Sequence, residues 1–178
     1  HASDRASEKG KGKPGGGTPT PPPPPPPQVT PVGVLRVGAP TATSTGSGIK
    51  VAIVDTGVDL NHRDLTVVEG YNAFDGTSNC QDDNGHGSHV LSVAVSSNYV
   101  QDNSNSPRVF NGIAPDAKVV VVKAFDDNGW GSYAGVIRGI EWVVANKDTY
   151  GIRVLNCSFG APPRSRYWDD PLNQAIMR

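Results

Sequence analysis

Two short runs of apolar, mostly β-branched residues constrain the fold of this chain more than any other feature. One covers residues 49–54, and the other covers residues 118–123 and holds four consecutive valines. Strands that are apolar on both faces lie inside a parallel sheet, where helices cover both faces. A third run of this kind covers residues 152–157. The sequence therefore predicts three strands of one parallel sheet.

Helical patterns separate and follow these strands. Residues 86–97 form one predicted helix, residues 133–147 form a second that ends before Gly151, and residues 172–177 begin a third after Pro171. Strands that alternate with helices predict an α/β fold. The residues expected to face the sheet are Val90, Val93 and Ala94 in the first helix and Val136, Ile137, Ile140, Val143 and Val144 in the second.

The first 27 residues differ in composition from the rest of the chain. Residues 5–13 are polar and basic, residues 15–17 are glycines, and residues 21–27 are prolines. Such a segment buries little surface, so residues 1–27 are predicted to be a disordered Gly/Pro-rich linker. Residues 28–178 are long enough for one domain with its own core. Because the chain begins with His1 rather than Met, we expect it to be a piece of a longer protein.

Charge and hydropathy argue against two classes of partner. The chain has 16 Lys and Arg against 17 Asp and Glu, and no basic cluster interleaved with aromatic residues, so nucleic acid is not an expected partner. No apolar run approaches about 18 residues, so no membrane-spanning helix is expected. Two cysteines are too few to indicate a redox compartment, and the pairing of Cys80 and Cys157 is left open. Cys157 is expected to be a small buried hydrophobic residue.

Polar residues with catalytic potential are predicted at one edge of the sheet. Asp55, Asp126 and Ser158 each follow a strand, where the sites of such sheets form. His86 opens a helix between two glycines, which are expected to let another backbone approach the ring. A carboxylate beside His86 can accept one ring N–H and leave the other nitrogen as a base. The structural alternative is an Asp that caps a turn and a His that caps a helix.

These segments resemble a known family. Residues 51–59 (VAIVDTGVD) and 86–90 (HGSHV) are similar to the Asp and His signatures of the subtilisin-like serine proteases. The resemblance extends over about residues 28–178, and it implies a three-layer, parallel-sheet subtilisin-like fold and the catalytic order Asp, His, Ser. Further segments that resemble the family are residues 28–33, 61–65, 112–115, 139–142 and 154–160.

The resemblance assigns roles to individual residues. Asp55 would orient His86, and His86 would be the general base. Residues 129–131 and residues 158–160 would bind an extended peptide by strand addition. Residues 158–160 would also form a wall of the pocket for the residue before the scissile bond. Tyr133 would line a neighbouring pocket, whereas His89 is expected to be buried and hydrogen-bonded. The predicted peptide-binding residues are Gly129, Trp130, Gly131, Ser158, Phe159 and Gly160.

Some positions depart from the family pattern. Residues 91–92 are Leu-Ser instead of Ala-Gly, and residues 96–110 replace the compact calcium loop with a longer, more polar segment. Gln28 and Asp64 match two ligand positions, so structural Ca²⁺ is the cofactor predicted, and no organic cofactor is expected. Asp82 and Asp83 are expected to be solvated rather than to bind an ion.

The nucleophilic Ser and the oxyanion-hole Asn of the family have no counterpart in the 178 residues. The subtilisin-like domain is therefore expected to be C-terminally incomplete and inactive alone. Residues 76–78 (GTS) look like a fragment of the nucleophile motif, but they precede His86 and are not expected to act as the nucleophile.

Three functions are compatible with these features. The first is the N-terminal part of a secreted serine endopeptidase that acts on polypeptides, interacts with its own pro-segment, and is monomeric when complete. The second is a non-catalytic, subtilase-like peptide-binding module. The third is a metal hydrolase that uses His86, His89 and either Asp55 or Asp83, for which the ligand spacing is a weak signal.

Overall fold

The computed structural model describes residues 30–97, 112–163 and 165–178. The predicted linker, Gln28 and most of the segment 96–110 lie outside these described residues. Along the chain, the elements are α1 (Val32–Arg36), a 3₁₀ helix (Ala39–Thr41), β1 (Lys50–Asp55), β2 (Val67–Asn72), α2 (His86–Val95), β3 (Lys118–Lys123), α3 (Tyr133–Tyr150), β4 (Ile152–Cys157) and α4 (Pro171–Ile176).

The four strands form one parallel sheet in the order β2-β3-β1-β4. The α/β parallel-sheet prediction is confirmed, and β3 and β4 have the predicted bounds. The sequence does not predict β2, because Glu69 and Gly70 interrupt its apolar pattern. In the structure, the pairing of β2 with β3 shifts register between Val67 and Glu69. In the described residues, β2 is an edge strand of the sheet.

Side chains that alternate along β1 and β3 divide the core between two faces of the sheet. Ala52 and Val54 pack with α3 and α4 on one face, whereas Ile53 packs with α2 on the other. The three-layer architecture follows from this alternation. Val136, Ile140 and Val143 of α3 are buried, as predicted, with Ile137 and Val144 packed against them, and Gly151 ends the helix at φ 65°.

The buried face of α2 differs from the prediction. Leu91 and Val95 are buried against β1 and β3, whereas Val93 is 44% exposed. Leu91 stands where the resemblance implies Ala, and it is fully buried. The buried stripe of α2 is therefore centred on Leu91 and Val95, with Val90 and Ala94 packed beside it.

Candidate active site

Asp55 and His86 are in direct contact at the carboxyl edge of the sheet. The Nδ1 atom of His86 lies 2.8 Å from Oδ1 of Asp55. Asp55 ends β1 and its side chain is almost fully buried, while the side chain of His86, at the first position of α2, is about half exposed. A buried carboxylate at Nδ1 favours the tautomer that carries its proton there, so the exposed Nε2 can accept a proton.

The buried carboxylate of Asp55 is held by its own chain. Its Oδ1 also accepts the N–H of Thr56 at 2.7 Å. Its backbone carbonyl accepts the N–H groups of Ala124 and Phe125, which follow β3. Within the described residues, Oδ2 of Asp55 is buried and has no hydrogen-bond partner. The carboxylate therefore contacts the ring of His86 and the N–H of Thr56 through the same oxygen.

Asp82 organises the loop that leads to His86. Its Oδ1 accepts the Thr56 hydroxyl and the N–H groups of Asn84 and Gly85. Its Oδ2 accepts both the N–H and the hydroxyl of Ser88. The prediction that Asp82 is merely solvated is therefore wrong. Asp82 was missed as a functional residue because its partners are mainly backbone donors, which no side-chain motif reveals.

Gly85 and Gly87 flank His86, and each position requires glycine for a different physical reason. Gly85 has a φ of 102°, a conformation that residues with a Cβ rarely adopt. A Cβ on Gly87 would clash with the backbone of Gly57, in the turn that follows β1. The close approach that requires Gly87 is thus the packing of α2 on the backbone of this turn.

Lys123 is a buried cation beneath the same turn. Its ammonium group donates to the carbonyls of Thr56 at 2.8 Å and Gln81 at 2.9 Å, and it lies 3.3 Å from the carboxylate of Asp83. The side chain of Asp83 is thus exposed, but its carboxylate forms an ion pair with Lys123. The apolar pattern of β3 predicts the strand, but it does not indicate that Lys123 at its end points inwards.

Most of the predicted site residues line one cleft of about 380 Å³. Asn84, Thr56, Phe125 and Asn128 contribute to the same cleft. The sequence places Asp126 at this edge as well, but Asp126 does not line the cleft. The predicted residues that do line it are Asp55, His86, Gly129, Ser158, Phe159 and Gly160.

The family model for the subtilase family matches residues 46–178, which is most of the chain. The chain belongs to the subtilase family. It is 38% identical to subtilisin Savinase of Lederbergia lenta over 85% of this chain and 53% of that protein. It is also 38% identical to the minor extracellular protease Epr of Bacillus subtilis (strain 168), over 74% of this chain and 18% of that protein.

A solved structure agrees with this assignment. A cold adapted subtilisin-like serine proteinase matches this subtilase with a TM-score of 0.59 and 30% identity, over 76% of this chain and 45% of that one. The chain thus spans about half or less of the length of these relatives. Among the described residues, no helix is both long and apolar enough to cross a membrane.

The peptide-binding edge predicted for this subtilase begins in a turn, in which Gly129 has a φ of 77°. The N–H of Trp130 donates to the carboxylate of Asp126, and its carbonyl accepts the N–H of the same residue. Within the described part of the chain, no hydrogen bond uses the carbonyl of Gly129 or the N–H of Gly131. Asp126 therefore caps the turn of this edge.

The histidine and metal predictions for the subtilase fare differently. His89 is exposed on α2, so the prediction of a buried histidine is wrong. The residues that the structure describes include no group of three or more His, Cys, Asp or Glu that could hold a metal ion, so the metal-hydrolase hypothesis finds no site among them. Asp64 accepts the Ser96 hydroxyl at 3.3 Å, and its predicted partner Gln28 is not among the described residues.

Proposed function

We propose that this chain supplies the acid–base part of a serine endopeptidase site, with His86 as the general base and Asp55 as the residue that orients it. The observation that carries the proposal is the 2.8 Å contact between Nδ1 of His86 and Oδ1 of Asp55. In this arrangement, Nε2 of His86 takes the proton of an attacking serine, and the buried carboxylate stabilises the imidazolium that forms.

The substrate is proposed to be an extended polypeptide. Its backbone would pair with the open groups of Gly129 and Gly131 on one side and with residues 158–160 on the other. Support comes from the cleft that Gly129, Ser158, Phe159 and Gly160 share with the catalytic pair. A neighbouring cleft of about 380 Å³, lined in part by Tyr133 and Phe159, would accept an apolar side chain of the peptide.

The nucleophile is proposed to come from sequence outside these 178 residues, so that the isolated chain does not cleave peptides. Among the described residues, the ring of His86 has no hydrogen bond to a serine, and its ring contact is with Asp55. The serine, and the donors that stabilise the tetrahedral intermediate, would complete the site.

The test compares the 178-residue chain with the product of the complete reading frame. A fluorophosphonate probe, which reacts with activated serines, should label the longer product and leave the shorter chain unlabelled. His86→Ala should lower peptide cleavage by about 10²–10⁴-fold. His62→Ala, at an exposed histidine outside the cleft, should leave it unchanged. Cleavage that persists in the His86 variant, or cleavage by the 178-residue chain that His86→Ala abolishes, would refute the proposal.

The second candidate function is a peptide-binding module without catalysis. The open backbone groups at Gly129 and Gly131 favour it, because strand addition needs no nucleophile. A complete product that binds peptides in calorimetry but is not labelled by the fluorophosphonate would support this alternative. Labelling that depends on His86 would exclude it.

Secretion, a pro-segment partner, a monomeric state and a structural calcium ion are further proposals. Secretion is supported by the extracellular location stated in the name of the Bacillus subtilis relative. Asp64 is the one predicted calcium ligand among the described residues, and a Ca²⁺ site would need further oxygen donors beside it. A melting temperature of the complete product that EGTA lowers, and that Asp64→Asn makes insensitive to EGTA, would support calcium. Equal melting curves with and without EGTA would refute it.

A further inference from the structure

The carboxylate of Asp82 is a hydrogen-bond acceptor for several segments close to the cleft. Its carboxylate accepts five hydrogen bonds at 2.7–3.1 Å, from Thr56, Asn84, Gly85 and twice from Ser88. These donors lie in the turn after β1, in the end of the loop that precedes α2, and in the first turn of α2. Asp82 itself does not line the catalytic cleft. Its carboxylate therefore ties together the two elements that carry the catalytic pair.

Thr56 transmits this link to both members of the pair. Its hydroxyl donates to Oδ1 of Asp82 at 2.8 Å and accepts the N–H of Gly87 at 2.9 Å. Its own N–H donates to Oδ1 of Asp55 at 2.7 Å. Thr56 is thus hydrogen-bonded to the carboxylate of Asp55 and to Gly87, in the helix turn that carries His86.

The donors around Asp82 favour the anion over any neutral replacement. Burial alone would raise the pKa of Asp82, but the hydrogen bonds from Gly85, Ser88 and Thr56 outweigh it and hold the pKa well below its usual range. An asparagine would direct an NH₂ group at one set of these donors. The site therefore distinguishes aspartate from asparagine although the two have the same shape.

We propose that Asp82 is a positioning residue, which acts through Thr56 to hold the ring of His86 at hydrogen-bond distance from Asp55 and in the Nδ1-protonated tautomer. This inference rests on the proposed roles of Asp55 and His86. Its test reads the geometry of the pair and not peptide cleavage, so the two proposals can fail separately. A carboxylate that only capped α2 would stabilise the helix without any dependence on the Thr56 hydroxyl.

The experiment is ¹⁵N NMR on the 178-residue chain with labelled histidine, which reports the tautomer of His86 and the exchange of its Nδ1 proton with water. The wild-type chain should show a downfield Nδ1 proton. Asp82→Asn should accelerate its exchange by roughly tenfold or more, as expected when the hydrogen bonds that hold the pair are lost. Thr56→Val should do the same, although it leaves the carboxylate of Asp82 and its bonds to α2 in place. Thr56→Ser should restore the wild-type signal.

Asp75→Asn is the matched control, because Asp75 also accepts three hydrogen bonds, two from Thr77 and one from Asn72, but does not line the cleft. It should leave the His86 signal unchanged. If Asp82→Asn does not fold, Thr56→Val carries the test alone. A folded Thr56→Val chain with the wild-type Nδ1 signal and exchange rate would overturn the proposal, as would an Asp75→Asn chain that loses the signal.

Discussion

The ammonium group of Lys123 donates a hydrogen bond to the backbone carbonyl of Thr56 at 2.8 Å, immediately after the catalytic candidate Asp55. Lys123 is only 8% exposed and ends β3, the neighbour of β1 in the sheet. Because the same group also donates to Gln81, it connects the turn after β1 with the loop that leads to His86. A buried cation thus supports the site from beneath.

Replacement of Lys123 by methionine should destabilise the fold. Methionine fills a similar volume but leaves the carbonyls of Thr56 and Gln81 without their donor. An unsatisfied buried acceptor costs about 1–3 kcal/mol, so the free energy of unfolding should fall by at least that amount. Lys147→Met, at an exposed position of α3, should change it by less than about 0.5 kcal/mol. Urea unfolding measures both, and equal effects of the two variants would contradict the structure.

Alanine at Gly87 should disturb both stability and the catalytic pair. Its Cβ would clash with the backbone of Gly57, and overpacking of this kind costs about 1–3 kcal/mol. Gly33→Ala is the control, because the space around Gly33 is open and α1 should gain up to about 1 kcal/mol. Thermal unfolding reports the stability, and the Nδ1 proton of His86 reports the geometry. A Gly87→Ala chain as stable as the wild type would show that α2 does not need this close approach.

Asp82 should make the stability depend on pH in acid. Burial opposes ionisation of Asp82, but its hydrogen bonds lower the pKa below the unfolded value of about 3.9. A lowered folded pKa gives stability that is complete above about pH 5 and is lost as the pH falls through the folded value. Asp82→Asn should therefore be less stable than the wild type at neutral pH, and the difference should shrink on acidification. Urea unfolding between about pH 7 and pH 2.5 checks this, and a difference that stays constant would be evidence against it.

The two thiols should differ in reactivity. Cys80 is 1% exposed and packs against Gly70, whereas Cys157 at the end of β4 is partly exposed and lines the cleft next to Tyr133. Burial raises the pKa of both thiols, so both should react with Ellman's reagent more slowly than free cysteine at pH 8. Cys157 should react in the folded chain, and Cys80 only after unfolding. Rates for Cys80→Ser and Cys157→Ser test this, and fast labelling of native Cys80 would contradict its burial.

Much of the fold follows from local patterns. The valine run of β3 and the apolar face of α3 appear in the structure as the sequence predicts, because a strand covered on both faces is apolar throughout and a helix repeats its buried positions about every 3.6 residues. The pattern fails at β2 and at α2. In β2, Glu69 and Gly70 interrupt the apolar pattern of an edge strand. In α2, the apolar stripe is short and is compatible with more than one rotation of the helix about its axis.

The sequence by itself determined the parallel α/β fold and the family, and it predicted Asp55 and His86 as an acid–base pair, because strand ends and helix starts lie at one edge of the sheet. Only the tertiary structure decided what holds the pair in place. The partners of Asp82 and Lys123 are mainly backbone N–H and carbonyl groups, and every residue has those groups whatever its type. Their direction depends on how the turn after β1 packs against α2, which no side-chain pattern encodes.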